Sequence, residues 1–170
     1  MAQTIAVVTF YSRGGTTERL ATAAAVGAVQ MRAGIRMRRV SDPDPAAALA
    51  RFPEHREELR RMHKEYVAPR EADLVDADVL VVASTADVTP ASPEWQACGD
   101  LLMRLHSEGQ LRHKVAAVVD NGPSARAFST MLEQLGMPIV SASAGDDELG
   151  RAMALGRAAV SRAQEMKASL

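Results

Sequence analysis

Residues 4–21 read TIAVVTFYSRGGTTERLA, and the change of pattern within them decides the fold. Residues 4–10 are β-branched and almost continuously apolar, as a strand covered on both faces should be. Such a strand belongs in a parallel sheet flanked by helices. After the glycines, Leu20, Ala24, Ala28 and Met31 recur at helical spacing through an alanine-rich run, with Gly34 placed to end the helix. The first unit is strand, loop, helix.

The loop, Ser12-Arg13-Gly14-Gly15-Thr16-Thr17, offers hydroxyls, backbone N–H groups left open by glycine, and the positive end of the helix dipole behind them. Two readings fit: a phosphate cradle, or a tight turn whose threonines cap the helix. The cradle is favoured. Arg13 would pair with the phosphate or remain solvated. No Lys-Ser/Thr pair follows the last glycine and the spacing is not GxGxxG, which disfavours nucleoside triphosphatase chemistry.

Working outward, IRMRRV (35–40) reads as an edge strand, whose Arg36, Arg38 and Arg39 would attract the 2′-phosphate of NADPH or keep the edge soluble. SDPDP breaks the chain. Through 46–70 an apolar stripe at Leu59, Met62 and Tyr66 predicts a helix with a solvated outer face. DVLVVAS (78–84) is the clearest buried strand, and Ser92-Pro93 is an N-cap and N1 pair for a helix carrying Trp95, Cys98, Leu102 and Leu105. KVAAVVD (114–120) is a fourth strand, and Ser124 opens a helix with Phe128, Met131, Leu132 and Leu135 on one side. PIVSAS (138–143) is a fifth, and Asp146 or Asp147 caps a last helix through Leu149, Ala152, Gly156, Ala159, Val160 and Ala163. Gly99 and Gly156 would permit close helix packing or a subunit contact.

Strands alternating with helices predict a single α/β domain over residues 1–170 with a parallel sheet. Ligands in such sheets bind beyond the carboxyl ends of the strands, so segments 11–17, 84–92 and 120–125 form one rim. A net charge of −1 and a pI near 6.4 advertise no nucleic-acid footprint. The lone Cys98 excludes an intrachain disulfide framework and multi-cysteine metal sites, and fits a reducing cytoplasm. On its apolar stripe it reads as a buried small hydrophobe. The N-terminal apolar run is too short for a signal or a membrane span. His55, His63, His106 and His113 lack HExxH or carboxylate-paired spacing and read as solvated. Tyr11 and Trp95 lie near the rim, where core packing is the simpler fate and stacking on a ring the alternative.

YSRGGTTERLA resembles the phosphate loop of flavodoxins, a hydroxyl, two residues, Gly, one residue and Thr, met here by Ser12, Gly15 and Thr17. The likeness runs on through DLVDADVLVVAS, SPEWQACGDLL, LRHKVAAVV, LEQLGMPIV and DDELGRAMALGRAAV. In order and spacing these are similar to the tryptophan-repressor-binding-protein branch of flavodoxin-like NAD(P)H:quinone oxidoreductases, over nearly the whole chain. The resemblance implies a flavodoxin-like three-layer sandwich, a five-stranded parallel sheet of order 2-1-3-4-5 with helices on both faces. It also implies non-covalent FMN, NAD(P)H as electron donor, two-electron reduction of a quinone, and dimers or tetramers, with no nucleic-acid or membrane partner. The cofactor contacts it implies are Ser12, Arg13, Gly14, Gly15, Thr16, Thr17, Thr85, Ala86, Asp87, Asn121 and Gly122.

The departures sit at the ring end. Where that branch has a Pro-Thr-Arg-Phe-Gly-like run, this chain has Ser84-Thr85-Ala86-Asp87-Val88-Thr89-Pro90, and the loop after the fourth strand is only Asp120-Asn121-Gly122-Pro123-Ser124. An inward Asp87 or Asp120 would disfavour a reduced flavin anion and lower its potential. Two alternatives to the enzyme therefore stand: a flavodoxin-type electron carrier, against which the near-neutral charge counts, and a flavin-free structural or regulatory protein.

Overall fold

A computed structural model describes residues 2–141 and 145–170. β1 (Ile5–Phe10) leads into α1 (Thr16–Gln30) and the edge strand β2 (Gly34–Arg39). There follow α2 (Pro45–Arg51), a 3-10 turn (Pro53–His55), α3 (Arg56–Glu65) and α4 (Glu71–Asp76). β3 (Val79–Ala83), α5 (Pro93–Ser107), β4 (Val115–Val118), α6 (Ser124–Gln134), β5 (Ile139–Val140) and α7 (Glu148–Ala168) complete the order. The sheet is parallel throughout, β2-β1-β3-β4-β5, the order the resemblance implies.

Alternation along β1 builds the three layers. Ala6, Val8 and Phe10 pack in one core with α1 and α7, while Val7 joins Leu80, Val82, Trp95, Leu102 and Phe128 in the core beneath α5 and α6. β1 and β3 are buried on both faces, which is why they read as continuous apolar runs. α1 and α7 approach until their backbones touch. A Cβ built on Gly156 would lie 1.9 Å from the Ala24 carbonyl oxygen, and one on Gly27 would lie 1.9 Å from that of Met153.

Several expectations need correction. Gly34 does not end α1; the helix stops at Gln30, Arg32 takes the left-handed conformation at φ 63°, and Gly34 is the first residue of β2. The stretch 46–70 is two helices and a 3-10 turn, because Phe52 and Pro53 interrupt it, and Tyr66 lies just past the end of α3. Gly99 permits no close packing: a Cβ there would meet nothing within 4 Å. Asp147, not Asp146, caps α7, its carboxylate accepting the Gly150 N–H at 2.7 Å. β5 ends at Val140, and the last two residues of its predicted span lie outside the described residues.

The edge-strand arginines Arg36 and Arg38 pair with carboxylates of α4 while staying partly exposed. Arg38 and Arg36 reach Asp73 on α4, at 2.8 and 3.3 Å, and Arg36 also reaches Asp76. Arg39 is buried, and its backbone N–H donates to the Val67 carbonyl, so the segment after α3 covers the far end of β2. Among the described residues, no helix is long and apolar enough to cross a membrane.

Candidate functional site at the strand ends

The β1–α1 loop is shaped by Gly15, which stands at φ 90° as the N-cap of α1 and donates its N–H to Ser12 Oγ at 3.2 Å. Among the described residues, no side chain caps α1. The first-turn N–H groups therefore point into the loop, where the helix dipole favours an anion. Gly14 and Thr16 are exposed around this opening, while Ser12 and Thr17 are buried at its base.

A buried polar net holds the loop from beneath. The Tyr11 hydroxyl donates to Asp42 Oδ1 at 2.6 Å, and Arg39 Nη2 donates both to the Ser12 carbonyl at 2.9 Å and to Asp42 Oδ2 at 3.1 Å. His63 Nε2 lies 2.9 Å from Asp42 Oδ2, so this histidine is carboxylate-paired, contrary to its reading as solvated. Burial pushes the Asp42 carboxyl up, but the Tyr11 hydroxyl, the Arg39 guanidinium and His63 outweigh it and leave the group below its ordinary value. Tyr11 is consequently no stacking platform: it is fully buried, and burial followed by the Asp42 carboxylate raises its hydroxyl well above the usual value.

Arg13 neither waits for a phosphate nor lies in solvent. Its Nη1 donates to Asp87 Oδ2 at 2.7 Å and its Nε to the Tyr11 hydroxyl at 3.2 Å, and its guanidinium stacks 4.0 Å from the centre of the Phe52 ring. The pair ties the first loop to the second and turns the Asp87 carboxylate outward to Arg13, which holds it below the usual range. Asp120 is exposed.

Asn121 joins the third loop to the other two, donating from Nδ2 to Thr17 Oγ1 at 3.0 Å and to the Ser84 carbonyl at 2.9 Å. Ala86 and Gly122 meet across the gap, Ala86 Cβ lying 2.9 Å from where a Gly122 Cβ would sit. The expected set of site residues is thus brought to one rim. Trp95 lies under it, buried, with Nε1 donating to Ser84 Oγ at 3.0 Å and its ring edge-on to Phe128. Its fate is core packing.

An acidic cluster beside the loop escapes sequence reading. The Glu18 carboxylate, in the first turn of α1, takes Arg61 Nη2 and the Tyr66 hydroxyl at 2.6 Å each, and Arg61 also reaches Glu58 and Glu65. Arg61 holds the Glu18 carboxyl low, while burial and then Glu18 push Tyr66 up to about 12. His55 lies over Gly14, and Glu58 lies near Gly15. Glu18 and Arg61 come from segments that only the fold unites, and no local motif announces them.

No protein-family model matches the chain. A protein from Archaeoglobus fulgidus named NAD(P)H dehydrogenase (quinone) is 31% identical over 134 residues, which are 76% of this chain and 68% of that protein. The chain is a member of the flavodoxin-like NAD(P)H:quinone oxidoreductase family. Solved structures of this flavodoxin-like fold superpose over nearly the full length. A WrbA-like flavodoxin of Agrobacterium tumefaciens gives a TM-score of 0.63 at 16% identity, over 96% of this chain and 99% of that one. A flavodoxin of Streptococcus pneumonia TIGR4 gives 0.57 at 17% identity, over 98% and 99%. These likenesses are of fold.

For a flavodoxin-like protein of this family the group to test against the site is FMN. The phosphate end fits through the free first-turn N–H groups of α1, which no side chain among the described residues caps, while His55 over Gly14 and Glu58 beside Gly15 have to swing aside for a phosphate to reach them. At the ring end, Thr85 Oγ1 is buried with no hydrogen-bond partner among the described residues, a polar atom whose burial a ligand would offset. Thr85–Asp87 and Asn121–Gly122 are the segments that would border the ring, and the Ala86–Gly122 contact narrows the gap between them.

Proposed function

We propose that the chain binds FMN non-covalently at the rim and acts as an NAD(P)H:quinone oxidoreductase, cytoplasmic and homo-oligomeric as a dimer or tetramer. One observation carries the reading: the uncapped N-terminus of α1 behind Gly15, with the Ser12 and Thr17 hydroxyls beside it. In this reading those groups and the N–H donors of the first turn take the phosphate, while Thr85, Ala86, Asp87, Asn121 and Gly122 border the ring. When bound, FMN supplies the electron transfer, by which NAD(P)H, a proton and a quinone become NAD(P)⁺ and a hydroquinone. The chain contributes placement. Arg39 fixes the Ser12 carbonyl, and Asn121 fixes Thr17 against the third strand.

The contact between Ala86 and Gly122 favours a second reading, a flavin-free structural or regulatory protein. Titrating FMN against riboflavin, its phosphate-free counterpart, separates the two. FMN is expected to bind at least about tenfold tighter than riboflavin. Thr17→Val is expected to weaken FMN by about 10- to 100-fold, the loss of one hydrogen bond to a charged group, and to leave riboflavin unchanged. Absence of saturable binding at tens of micromolar FMN would support the flavin-free reading.

A further inference from the structure

The outer face of the α5/α6 pair carries two cavities that meet. The first, about 620 Å³, begins at the rim between Pro90, Ala91 and Pro123 and passes Ala127 and Met131. The second, about 330 Å³, continues past Gly99, Met103, His106 and Leu135. Pro90, Met131 and Gln134 border both, so the two form one groove. From Gln96 to His106, α5 rises about 15 Å along it. Its exposed walls are mainly carbon; the polar residues are Thr89, Arg126 and Thr130 near the rim, Gln134 where the cavities meet, and Gln96, Asp100 and His106 farther along.

Packing within the described chain does not explain Gly99. A glycine inside a helix is a standing cost against alanine, and at Gly27 and Gly156 the touching backbones of α1 and α7 account for it. At Gly99 no atom of the described residues lies within 4 Å of a Cβ, and the space left open is the floor of the groove. One turn on, Met103 is 65% exposed, a large apolar side chain left uncovered at the groove's edge.

We infer that the groove holds the hydrocarbon side chain of the quinone acceptor, so that the preferred substrate class is a quinone with a long apolar tail rather than a bare ring. The inference rests on the oxidoreductase reading. Continuity with the rim identifies the occupant: Pro90 follows the Thr85–Asp87 loop by three residues and Pro123 follows Gly122 directly. A tail attached to a ring lodged between those loops enters the groove at that point. The mostly apolar exposed surface of the walls suits an alkyl chain. The tail takes no part in the bond changes; two electrons and two protons go to the quinone oxygens, from NAD(P)H and one solvent proton.

The test compares decyl-benzoquinone with 1,4-benzoquinone on the FMN-loaded protein, wild type and Gly99→Trp, which closes the floor at a position with room for a side chain. The tail is expected to raise kcat/KM about tenfold or more in the wild type, and Gly99→Trp to abolish that advantage while leaving 1,4-benzoquinone turnover unchanged. A decyl-benzoquinone with a terminal diazirine, photolysed with flavin-free protein, is expected to label residues 96–106 and 127–135. Equal kcat/KM for the two quinones, labelling elsewhere, or a Gly99→Trp variant that changes oligomeric mass yet keeps the tail advantage, would overturn the inference. Failure to turn over 1,4-benzoquinone, with no FMN binding, would instead overturn the oxidoreductase reading.

Discussion

Gly156→Ala is expected to lower stability by about 3 kcal/mol, although alanine is the better helix former by about 1 kcal/mol. The new Cβ would stand 1.9 Å from the Ala24 carbonyl oxygen and 3.1 Å from the Ala28 nitrogen, both backbone atoms of α1 that no rotamer change can move aside. The helices must separate, and with them goes the packing of Leu155, Ala159 and Ala24 in the core above β1 and β3. Gly27→Ala meets the mirror-image contact with Met153 and should behave alike. Gly99→Ala is the opposite case and should gain about 0.5–1 kcal/mol. Urea unfolding at constant m-value reads all three as shifts of the midpoint. A raised midpoint for Gly156→Ala would refute the close approach.

Arg39→Met should cost about 3–5 kcal/mol, the loss that follows when one partner of a buried ion pair is removed and the other charge is stranded. Both side chains are almost wholly buried, at 2% and 4% exposure. Asp42 also accepts from Tyr11 and pairs with His63, so Asp42→Leu alone strands more groups, and the double variant should recover only part of the loss. The pH dependence follows from the direction of the Asp42 shift. Because its folded value lies below the unfolded one, near 4, its contribution is complete above that pH and is lost as the pH falls through the folded value. Wild-type urea midpoints should therefore drop below about pH 4, and Asp42→Asn should make that drop shallower, leaving the share carried by Glu18, Asp73 and Asp87, while lowering the neutral-pH midpoint.

Where the local pattern carried its own physics, the structure follows the sequence closely. The strand runs 4–10, 78–84 and 114–120 contain β1, β3 and β4, and Pro93 and Ser124 each begin a helix. Ser92 is instructive, because it ends in the expected place without capping: its Oγ accepts the Thr89 N–H instead. The six residues of α4 left too short a pattern to see. Pairings across the chain were illegible for a different reason. Asp42 with His63, Arg13 with Asp87, and Arg61 with Glu18 each join residues 21 to 74 positions apart, which only the fold makes neighbours. Arg39 looked like surface because nothing near it in sequence says that Val67 will cover the edge. The position of the rim was legible; its internal latches were not.

Cys98 is the chain's one thiol, packed with Trp95, Leu102 and Phe128, and burial pushes it up to about 12. Quinones are electrophiles as well as oxidants, and the species they arylate is the thiolate. At neutral pH this residue presents almost none, and little of its surface besides. Under the proposed function, a thiol held this way would resist arylation by the quinone substrate. Intact-mass spectrometry should find the folded protein without a thiol adduct after exposure to 1,4-benzoquinone, and the urea-unfolded chain carrying one quinone at Cys98.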